Sequence, residues 1–250
     1  MIKTKSEIEK IRIAQSHVDS ILENDLKNWL REGVTEQEIS EKLEKAIFGD
    51  GAFELAFPSI IAFGEGAAEP HHEPNQRGLR QGDPILIDCG AKFEGWCSDC
   101  TRMFCLGQPS LEFREKYEKV LKIHEEILLQ FVAGAKVASL DAWVRERLGD
   151  DEQYFIHSLG HGIGREVHEE PRITSKKSPT QIRTHQIPSQ TRVLEIPNPG
   201  LKELQKGMVV TCEPGLYYKD AFGIRIEDLL VIREGRAEIL TQTPRTLILL

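Results

Sequence analysis

The sequence predicts an α+β domain that is duplicated within the chain. Two helical patterns are followed by about three short strand patterns, and the same order starts again roughly a hundred residues later. Helices and strands that occur in separate runs are typical of α+β folds. We therefore predict one domain over residues 1–250, with pseudo-symmetric halves at about 1–108 and 109–250.

The first half begins with two helices. Ser6 and Glu9 match a capping box before apolar residues at helical spacing, and Thr35 and Glu38 repeat the pattern. The second, shorter helix is predicted to end near Gly49. Three strand patterns follow between turn-rich stretches, at residues 58–63, 84–89 and 96–104.

The second half repeats this order. Helical patterns cover residues 111–131 and 140–148. The strand patterns that follow lie at residues 154–159, 208–213, 224–232 and 237–240. Residues 171–200 are rich in Ser, Thr, Pro, Gln and Arg and have little periodicity. We predict a long loop there, favouring a surface insertion over a lid.

The composition is that of an ordinary globular protein, with 40% hydrophobic and 29% charged residues. The net charge of −8 argues against a nucleic-acid partner, which usually requires a basic surface. No apolar run is long enough to span a membrane, and the first residues lack the apolar segment of a signal peptide. We predict a cytoplasmic protein without a membrane partner.

The five cysteines are an odd number in a chain too large to need disulfides, which favours reduced thiols. Cys97 and Cys100 form a single C-x-x-C pair, and no second well-spaced pair completes a zinc site. Cys89 and Cys212 each adjoin a candidate acidic ligand, so strand alternation predicts them in the core.

Two aspartates are candidates for a metal site. Asp88 ends the apolar run ILID, and Asp99 follows eleven residues later. In a hairpin with a two-residue loop at 93 and 94, these aspartates would face each other directly. Two such carboxylates repel unless a proton or cation lies between them. The alternative is that both are solvated hairpin residues.

Histidines are concentrated in one glycine-rich segment, residues 157–171, which reads HSLGHGIGREVHEEP. His157, His161 and His168 could converge on one cavity, because the glycines permit close backbone approach. Glu213 and Glu227 lie within apolar strand patterns, where a buried carboxylate needs a partner.

An ion pair with Arg225 is the alternative role for these two glutamates. Four carboxylates and one histidine would instead form an oxygen-rich set that suits Mn²⁺, Fe²⁺, Co²⁺ or Zn²⁺.

Five groups of motif residues occur in order along the chain. They are PHH at 70–72, LIDCG with SDCTR within 86–102, GHGIGREVHEEP at 160–171, EPGLYY at 213–218 and RIED at 225–228. These motifs span essentially the whole chain, and in this order they resemble those of the metallopeptidases that share the pita-bread (creatinase/aminopeptidase) fold. That family includes methionine aminopeptidases, aminopeptidase P and prolidases. The resemblance implies a curved antiparallel sheet covered by helices.

The resemblance also implies a dinuclear centre. Asp88 would bind one divalent ion, His161 and Glu213 would bind the other, and Asp99 and Glu227 would bridge both. Mn²⁺ is the favoured metal, with Co²⁺, Fe²⁺ and Zn²⁺ as alternatives.

The resemblance further implies that Glu213 serves as general base and acid, and that His71 and His168 orient the substrate and hydrogen-bond to the developing intermediate. The implied substrate-binding residues are His157, Arg225 and Tyr217.

The motifs RIED, EPGLYY and PHH resemble aminopeptidase P and prolidase, whereas HEEP resembles methionine aminopeptidases. We predict an exopeptidase that hydrolyses the N-terminal Xaa-Pro bond of peptides or dipeptides with a hydroxide held between two metal ions. The alternatives are a methionine aminopeptidase, a creatinase-like enzyme that works without metals, and a metal-free binding module. The intact ligand set disfavours the last two.

The predicted partner is a peptide substrate, and a homodimer is one candidate assembly. Aminopeptidase P and prolidase usually carry an additional N-terminal domain, which we expect this chain to lack.

Overall fold

The computed structural model describes residues 1–49, 51–175 and 202–250. Within these ranges, helices cover antiparallel strands in both the first and the second half of the chain. The predicted α+β class is therefore confirmed. None of the helices in the described ranges combines the length and apolar character needed to cross a bilayer.

Three helices begin the chain. They are α1 (Lys5–Asn24), α2 (Leu26–Trp29) and α3 (Glu36–Phe48). The predicted capping box of Thr35 and Glu38 starts α3. The predicted box at α1 is wrong, since Thr4 is the N-cap and Glu7 its partner, whereas Ser6 already lies inside the helix. Both candidate pairs have the capping-box spacing, so the spacing alone does not select between them.

Six strands follow in the first half, and a short 3₁₀ helix (Gly64–Ala68) separates the second from the third. They are β1 (Glu54–Leu55), β2 (Ile60–Phe63), β3 (Pro84–Cys89), β4 (Ala91–Phe93), β5 (Trp96–Cys97) and β6 (Cys100–Cys105). β3 is buried on both faces. Ile85 and Ile87 pack with residues of α1 and α3, whereas Leu86 packs with residues from the second half. This double burial explains its unbroken apolar run.

The hairpin between β4 and β5 differs from its predicted form by one residue. Its turn consists of Glu94 and Gly95, with φ angles of 47° and 79°, rather than positions 93 and 94. A two-residue turn with positive φ at both positions suits glycine at the second. In the resulting register Asp88 lies opposite Thr101, so the predicted direct pairing of Asp88 with Asp99 is wrong.

In the second half, residues 109–175 and 202–250 contain two longer helices and eight strands. The helices are α4 (Leu111–Leu128) and α5 (Val137–Leu148). The strands are β7 (Gly160–Gly162), β8 (Glu169–Ile173), β9 (Val209–Cys212), β10 (Gly215–Tyr218), β11 (Phe222–Arg225), β12 (Asp228–Val231), β13 (Glu238–Ile239) and β14 (Ile248–Leu249).

The predicted strand at residues 154–159 is wrong. A 3₁₀ helix covers Gly149–Tyr154, and the next strand begins only at Gly160. Arg145 donates hydrogen bonds to the carbonyl oxygens of Phe155 and His157, at 2.9 and 2.7 Å. These carbonyls are therefore bound to a buried guanidinium instead of a neighbouring strand.

The predicted loop at 171–200 is also partly wrong. Residues 171–173 belong to β8, which pairs with β7, whereas residues 176–200 lie outside the described residues. This pairing comes from a neighbouring strand rather than from a local apolar pattern, so periodicity did not reveal it. The predicted strand at 224–232 is divided between β11 and β12.

The strands form two main sheets. One has the order β13-β12-β9-β7-β8 and packs against α4 and α5, and the other has the order β14-β6-β3-β2. The backbone N–H of Glu227 donates to the carbonyl of Thr101 at 3.2 Å, joining the start of β12 to β6. The two sheets thus meet where the candidate ligands lie. The proposed division into pseudo-symmetric halves stays a prediction.

The cysteines behave as predicted. All five are buried and free, and Cys89 and Cys212 belong to the apolar core.

Candidate metal centre

Five strand ends bring the predicted ligands together between the two sheets. Asp88 lies in β3, Asp99 just before β6, His161 in β7, Glu213 just after β9 and Glu227 just before β12. The side chain of Asp99 is 6% exposed and Glu227 is almost fully buried, whereas the side chains of His161, Asp88 and Glu213 are 10%, 11% and 15% exposed. The site therefore combines a largely buried set of ligands with one carboxylate that water can reach.

The distances define a cluster centred on His161. Its Nε2 atom lies 3.6 Å from Asp99 Oδ2 and 3.4 Å from Glu213 Oε1. Asp99, His161 and Glu227 each offer one possible ligand atom, and these three atoms all lie within 4.8 Å of one another. A single cation could therefore contact these three side chains together.

The hydrogen bonding of Asp88 indicates whether a cation fits this site. Its Oδ2 atom accepts a hydrogen bond from Arg225 at 2.6 Å, whereas Oδ1 is buried without a hydrogen-bond partner. An unpaired buried carboxylate oxygen is costly, and a cation would satisfy it. Asp88 also lies close enough to raise the pKa values of Asp99, Glu213 and Glu227.

His161 is held in the form that a metal requires. Its Nδ1 atom lies 3.1 Å from the carbonyl oxygen of Gly162, and its backbone N–H donates to Thr211 Oγ1 at 3.1 Å. Because Nδ1 donates to that carbonyl, the lone pair of Nε2 is free to bind a cation. Burial lowers the pKa of His161 to about 3, so the ring is neutral.

The pKa values of three carboxylates are shifted in the opposite direction, upward. Burial raises the pKa of Asp99, and its acidic neighbours, Glu227 first, raise it further. Burial raises the pKa of Glu213 to about 7 and also raises that of Glu227. Without a cation the cluster therefore holds protons, which a bound cation would displace.

Two threonines hold the carboxylates and were missed by the sequence analysis. Thr101 Oγ1 donates to Glu227 Oε2 at 2.7 Å, and Thr211 Oγ1 donates to Glu213 Oε1 at 3.3 Å. Thr101 lies two residues after Asp99, and Thr211 lies two residues before Glu213. Since residues two apart in a strand share a face, this spacing could have identified them.

Arg225 links three parts of the site. Its guanidinium pairs with Asp88, donates from Nε to Thr101 Oγ1 at 2.9 Å and donates from Nη1 to the hydroxyl of Tyr217 at 2.8 Å. It reaches Glu227 only through Thr101, so the alternative of a direct ion pair with Glu227 is not what forms. The Tyr217 hydroxyl lies 2.8 Å from His157 Nε2, which completes a chain of contacts to Asp88.

The remaining predicted residues surround this cluster on the solvent side. The rings of His161 and His168 lie 4.3 Å apart between centroids. Burial lowers the pKa of His168, and the nearby His71 lowers it further. Both His71 and His168 are exposed, so a solvent-borne molecule can reach them.

Arg172 is a further cation beside the site that the sequence analysis missed. It lies directly opposite His161 in the pairing of β7 with β8, and it is exposed. Its positive charge contributes to lowering the pKa of His161 below its usual value, after the larger effects of burial and His168. Within the described part of the chain its guanidinium makes no hydrogen bond or ion pair.

The fold and the clustered acidic and imidazole side chains together define an α+β protein with a candidate metal site between two sheets. The profile of metallopeptidase family M24 matches residues 9–234, and the chain belongs to this family.

Relatives with known sequence or structure extend this result. An Xaa-Pro dipeptidase from Pyrococcus furiosus is 36% identical over 253 residues, covering 99% of this chain and 65% of the relative. An uncharacterized peptidase from Staphylococcus saprophyticus is 34% identical over 242 residues, covering 96% of this chain and 62% of the relative. The crystal structure of X-Pro aminopeptidase from Thermotoga maritima superposes with a TM-score of 0.87 at 35% identity, covering all of this chain and 65% of that one.

The structural match confirms the predicted pita-bread fold. The chain spans less than two thirds of the length of each of these three relatives.

Proposed function

We propose that this chain catalyses the metal-dependent hydrolysis of the bond between an N-terminal residue and a following proline. The observation that carries the proposal is the meeting of Asp99, His161 and Glu227 within 4.8 Å, beside Glu213 and the unpaired oxygen of Asp88. The family supports a divalent metal, and the relatives from P. furiosus and T. maritima are named for Xaa-Pro substrates.

The donor set supports two divalent cations, with Mn²⁺ as the first choice. Carboxylate oxygens predominate, which suits Mn²⁺, and the imidazole is also compatible with Fe²⁺, Co²⁺ or Zn²⁺. When bound, such a pair of ions would act as Lewis acids that activate water and polarise the scissile carbonyl. The five candidate ligands are Asp88, Asp99, His161, Glu213 and Glu227.

Glu213 is the carboxylate best placed to move a proton. It has a more exposed side chain than Asp99 or Asp88, with 15% against 6% and 11%, and its Oε2 lies 3.9 Å from His157 Nδ1. In the proposed reaction it accepts a proton from the attacking water and passes it to the leaving proline nitrogen. A positioned carboxylate can serve as base in one step and as acid in the next.

The histidines at the solvent side would handle the substrate. His168 is favoured in its neutral form, because its pKa is lowered, and a neutral imidazole can donate one hydrogen bond to a peptide carbonyl oxygen. His71 would donate from the other side, and donors aimed at a developing oxyanion stabilise it. His157, Tyr217 and Arg225 would shape the pocket behind them.

One assay tests the proposal directly. The purified chain is loaded separately with Mn²⁺, Co²⁺, Fe²⁺ or Zn²⁺ and given Ala-Pro, Ala-Pro-Ala and Met-Ala-Ser. We expect alanine to be released from the two proline peptides, with Met-Ala-Ser left intact. Release of methionine with untouched proline peptides would instead establish a methionine aminopeptidase.

The matched control is Glu213→Gln, which keeps the size of the side chain but removes the proton acceptor. We expect its kcat to fall by about 100-fold or more. Absence of bound metal after loading, measured by elemental analysis, would favour the metal-free binding module. The cytoplasmic location and the homodimer stay predictions, to be checked by cell fractionation and light scattering.

A further inference from the structure

A buried carboxylate outside the metal centre organises the loop that carries His71. Glu36 is the first residue of α3 and is fully buried. It accepts hydrogen bonds from the backbone N–H groups of Phe63 and Asn75, at 2.8 and 3.1 Å. Its Oε2 atom also lies 2.8 Å from Nε2 of His72. One acid therefore connects the helix start to the end of β2 and to the segment that follows the 3₁₀ helix.

His72 lies between two carboxylates. Besides the contact with Glu36, its Nδ1 atom lies 3.5 Å from Glu69 Oε2, and its backbone N–H donates to the Glu69 carbonyl at 3.1 Å. Nδ1 makes no hydrogen bond at that distance, so Glu36 is the acid that binds the ring directly. The hydrogen bond to Glu36 is the largest cause of the raised pKa of His72.

A glycine leaves room for this ring. A Cβ atom added to Gly66 would lie 3.0 Å from His72 Cε1 and 3.3 Å from Glu36 Oε1. The 3₁₀ helix therefore packs against the pair of side chains, and the imidazole has little freedom to move away from Glu36.

The same loop contacts the metal centre. His71 directly precedes His72, and the carbonyl oxygen of Pro70 accepts a hydrogen bond from Arg225 Nη1 at 3.4 Å. Arg225 in turn binds the candidate ligand Asp88. His71 thus lies between two anchors, with Glu36 and His72 on one side and Arg225 on the other.

We propose that Glu36 and His72 are positioning residues that hold His71 against the metal centre. This inference rests on the proposed function, in which His71 donates a hydrogen bond to the substrate. Neither side chain is expected to touch the substrate, because Glu36 is buried and both nitrogens of His72 face carboxylates.

The first test is a double-mutant cycle on the Xaa-Pro reaction. We expect His72→Gln to lower kcat roughly tenfold or more, since small misplacements of catalytic groups cost up to about 100-fold. In a His71→Ala background the same change should alter kcat less than about twofold, because positioning has no effect once the positioned group is absent. An undiminished loss in that background would overturn the proposal.

The matched control is His17→Gln. His17 is also a partly buried histidine of the first half, with Nε2 2.9 Å from the carbonyl of Ile47 and its ring stacked on Phe53. We expect it to leave kcat unchanged. Both variants should bind the same number of metal ions as the parent chain, and thermal unfolding identifies any variant that fails to fold.

A second measurement does not depend on activity. Hydrogen–deuterium exchange of residues 64–77 should be faster in His72→Gln and in Glu36→Gln, and unchanged in His17→Gln. If the parent chain cleaves no Xaa-Pro peptide, the proposed function fails, while exchange still decides whether the two residues fix the loop. Unaltered exchange in residues 64–77 would refute the positioning role.

Discussion

Three of the carboxylates at the candidate metal centre are held in an environment that favours their protonated forms. Burial raises the pKa values of Asp99 and Glu227 and brings that of Glu213 to about 7. An acid whose pKa is raised on folding stabilises the folded state at low pH and loses that contribution as the pH rises through the folded value. Bound cations reverse this effect, because they interact only with the ionised forms.

The stabilisation by metal should therefore depend on pH. Below about pH 7 each displaced proton reduces the affinity by about tenfold per pH unit, or about 1.4 kcal/mol. We expect the increase in melting temperature caused by Mn²⁺, relative to EDTA, to grow from pH 5.5 to pH 8. Differential scanning fluorimetry at fixed Mn²⁺ concentration checks this, and a shift that does not vary with pH would contradict it.

Arg172 is an exposed cation beside the candidate site, and we expect it to bind the far end of a short substrate. It lies opposite His161, and its guanidinium is unpaired among the described residues. In a dipeptide the proline carboxylate lies next to the scissile bond, whereas in a longer peptide that position is an uncharged amide. An arginine at this place can pair with the carboxylate in two parallel hydrogen bonds.

We expect Arg172→Met to raise KM for Ala-Pro by about tenfold, a typical effect of losing one charge-assisted contact. The KM for Ala-Pro-Ala should change by less than about threefold. Steady-state kinetics with both peptides decide the matter, and equal effects on the two substrates would show that Arg172 does not read the carboxylate.

At the scale of single elements, the approach of β7 to β9 leaves no space for a side chain at Gly160. A Cβ atom there would lie 2.2 Å from the backbone oxygen of Thr211, which must then move. The adjacent His161 donates its backbone N–H to the same threonine. Any shift between these strands therefore displaces a candidate metal ligand together with the residue that holds Glu213.

Gly160→Ala should destabilise the chain by about 2 kcal/mol or more, because the clash is with backbone. The control is Gly235→Ala, where an added Cβ meets nothing within 4 Å. Urea unfolding compares the two variants, and Mn²⁺ titration should show weaker binding only for Gly160→Ala. Equal stability of the two variants would mean that β7 and β9 separate at little cost.

The sequence predicted elements best where the local pattern determines them. The helices α3 and α4 follow from a capping box or an apolar periodicity, and both were predicted close to their observed positions. Elements that depend on distant partners were missed. β8 pairs with β7, which lies on another part of the chain, and in the segment predicted as a strand at 154–159 the carbonyl oxygens of Phe155 and His157 accept hydrogen bonds from Arg145 instead of a strand.

The candidate ligands could be proposed from the sequence, whereas the contacts that position them could not. Residue type, spacing and the family resemblance gave the five candidate ligands, whose role stays a prediction, but the register that relates Asp88 to Asp99 depended on which two residues form the turn. Glu36 and His72 were not recognised, since their connection joins α3 to a loop far along the chain. A single sequence contains no local signal for such a contact.

At the scale of the whole molecule, a buried ion pair joins the two sheets beside the candidate metal centre. Arg102 on β6 lies 2.7 Å from Asp228 on β12, and both side chains are essentially inaccessible. Arg102 also donates to the backbone oxygens of Thr101 and Glu227. The pair therefore fixes the strands that carry the two predicted bridging ligands.

Asp228→Ala should destabilise the chain by about 3–5 kcal/mol, because it leaves the Arg102 charge buried without its partner. The control is Glu234→Gln, which removes an exposed pair with Lys206 in which the side chains are 74% and 61% exposed. Surface pairs contribute about 1 kcal/mol or less. Chemical denaturation measures both variants, and a loss for Asp228→Ala as small as that of the control would refute this role.

The placement of the ligands along the polypeptide determines when a cation can be captured. A ribosome delivers Asp88 and Asp99 well before His161, and Glu227 is the last of the five candidate ligands to be synthesised. A nascent chain therefore offers only a loose acidic pair, which cannot select one divalent ion from another. Chelation by all five candidate ligands would have to wait until Glu227 has been synthesised, so we expect the ions that are free from that point onward to determine which metal the protein acquires.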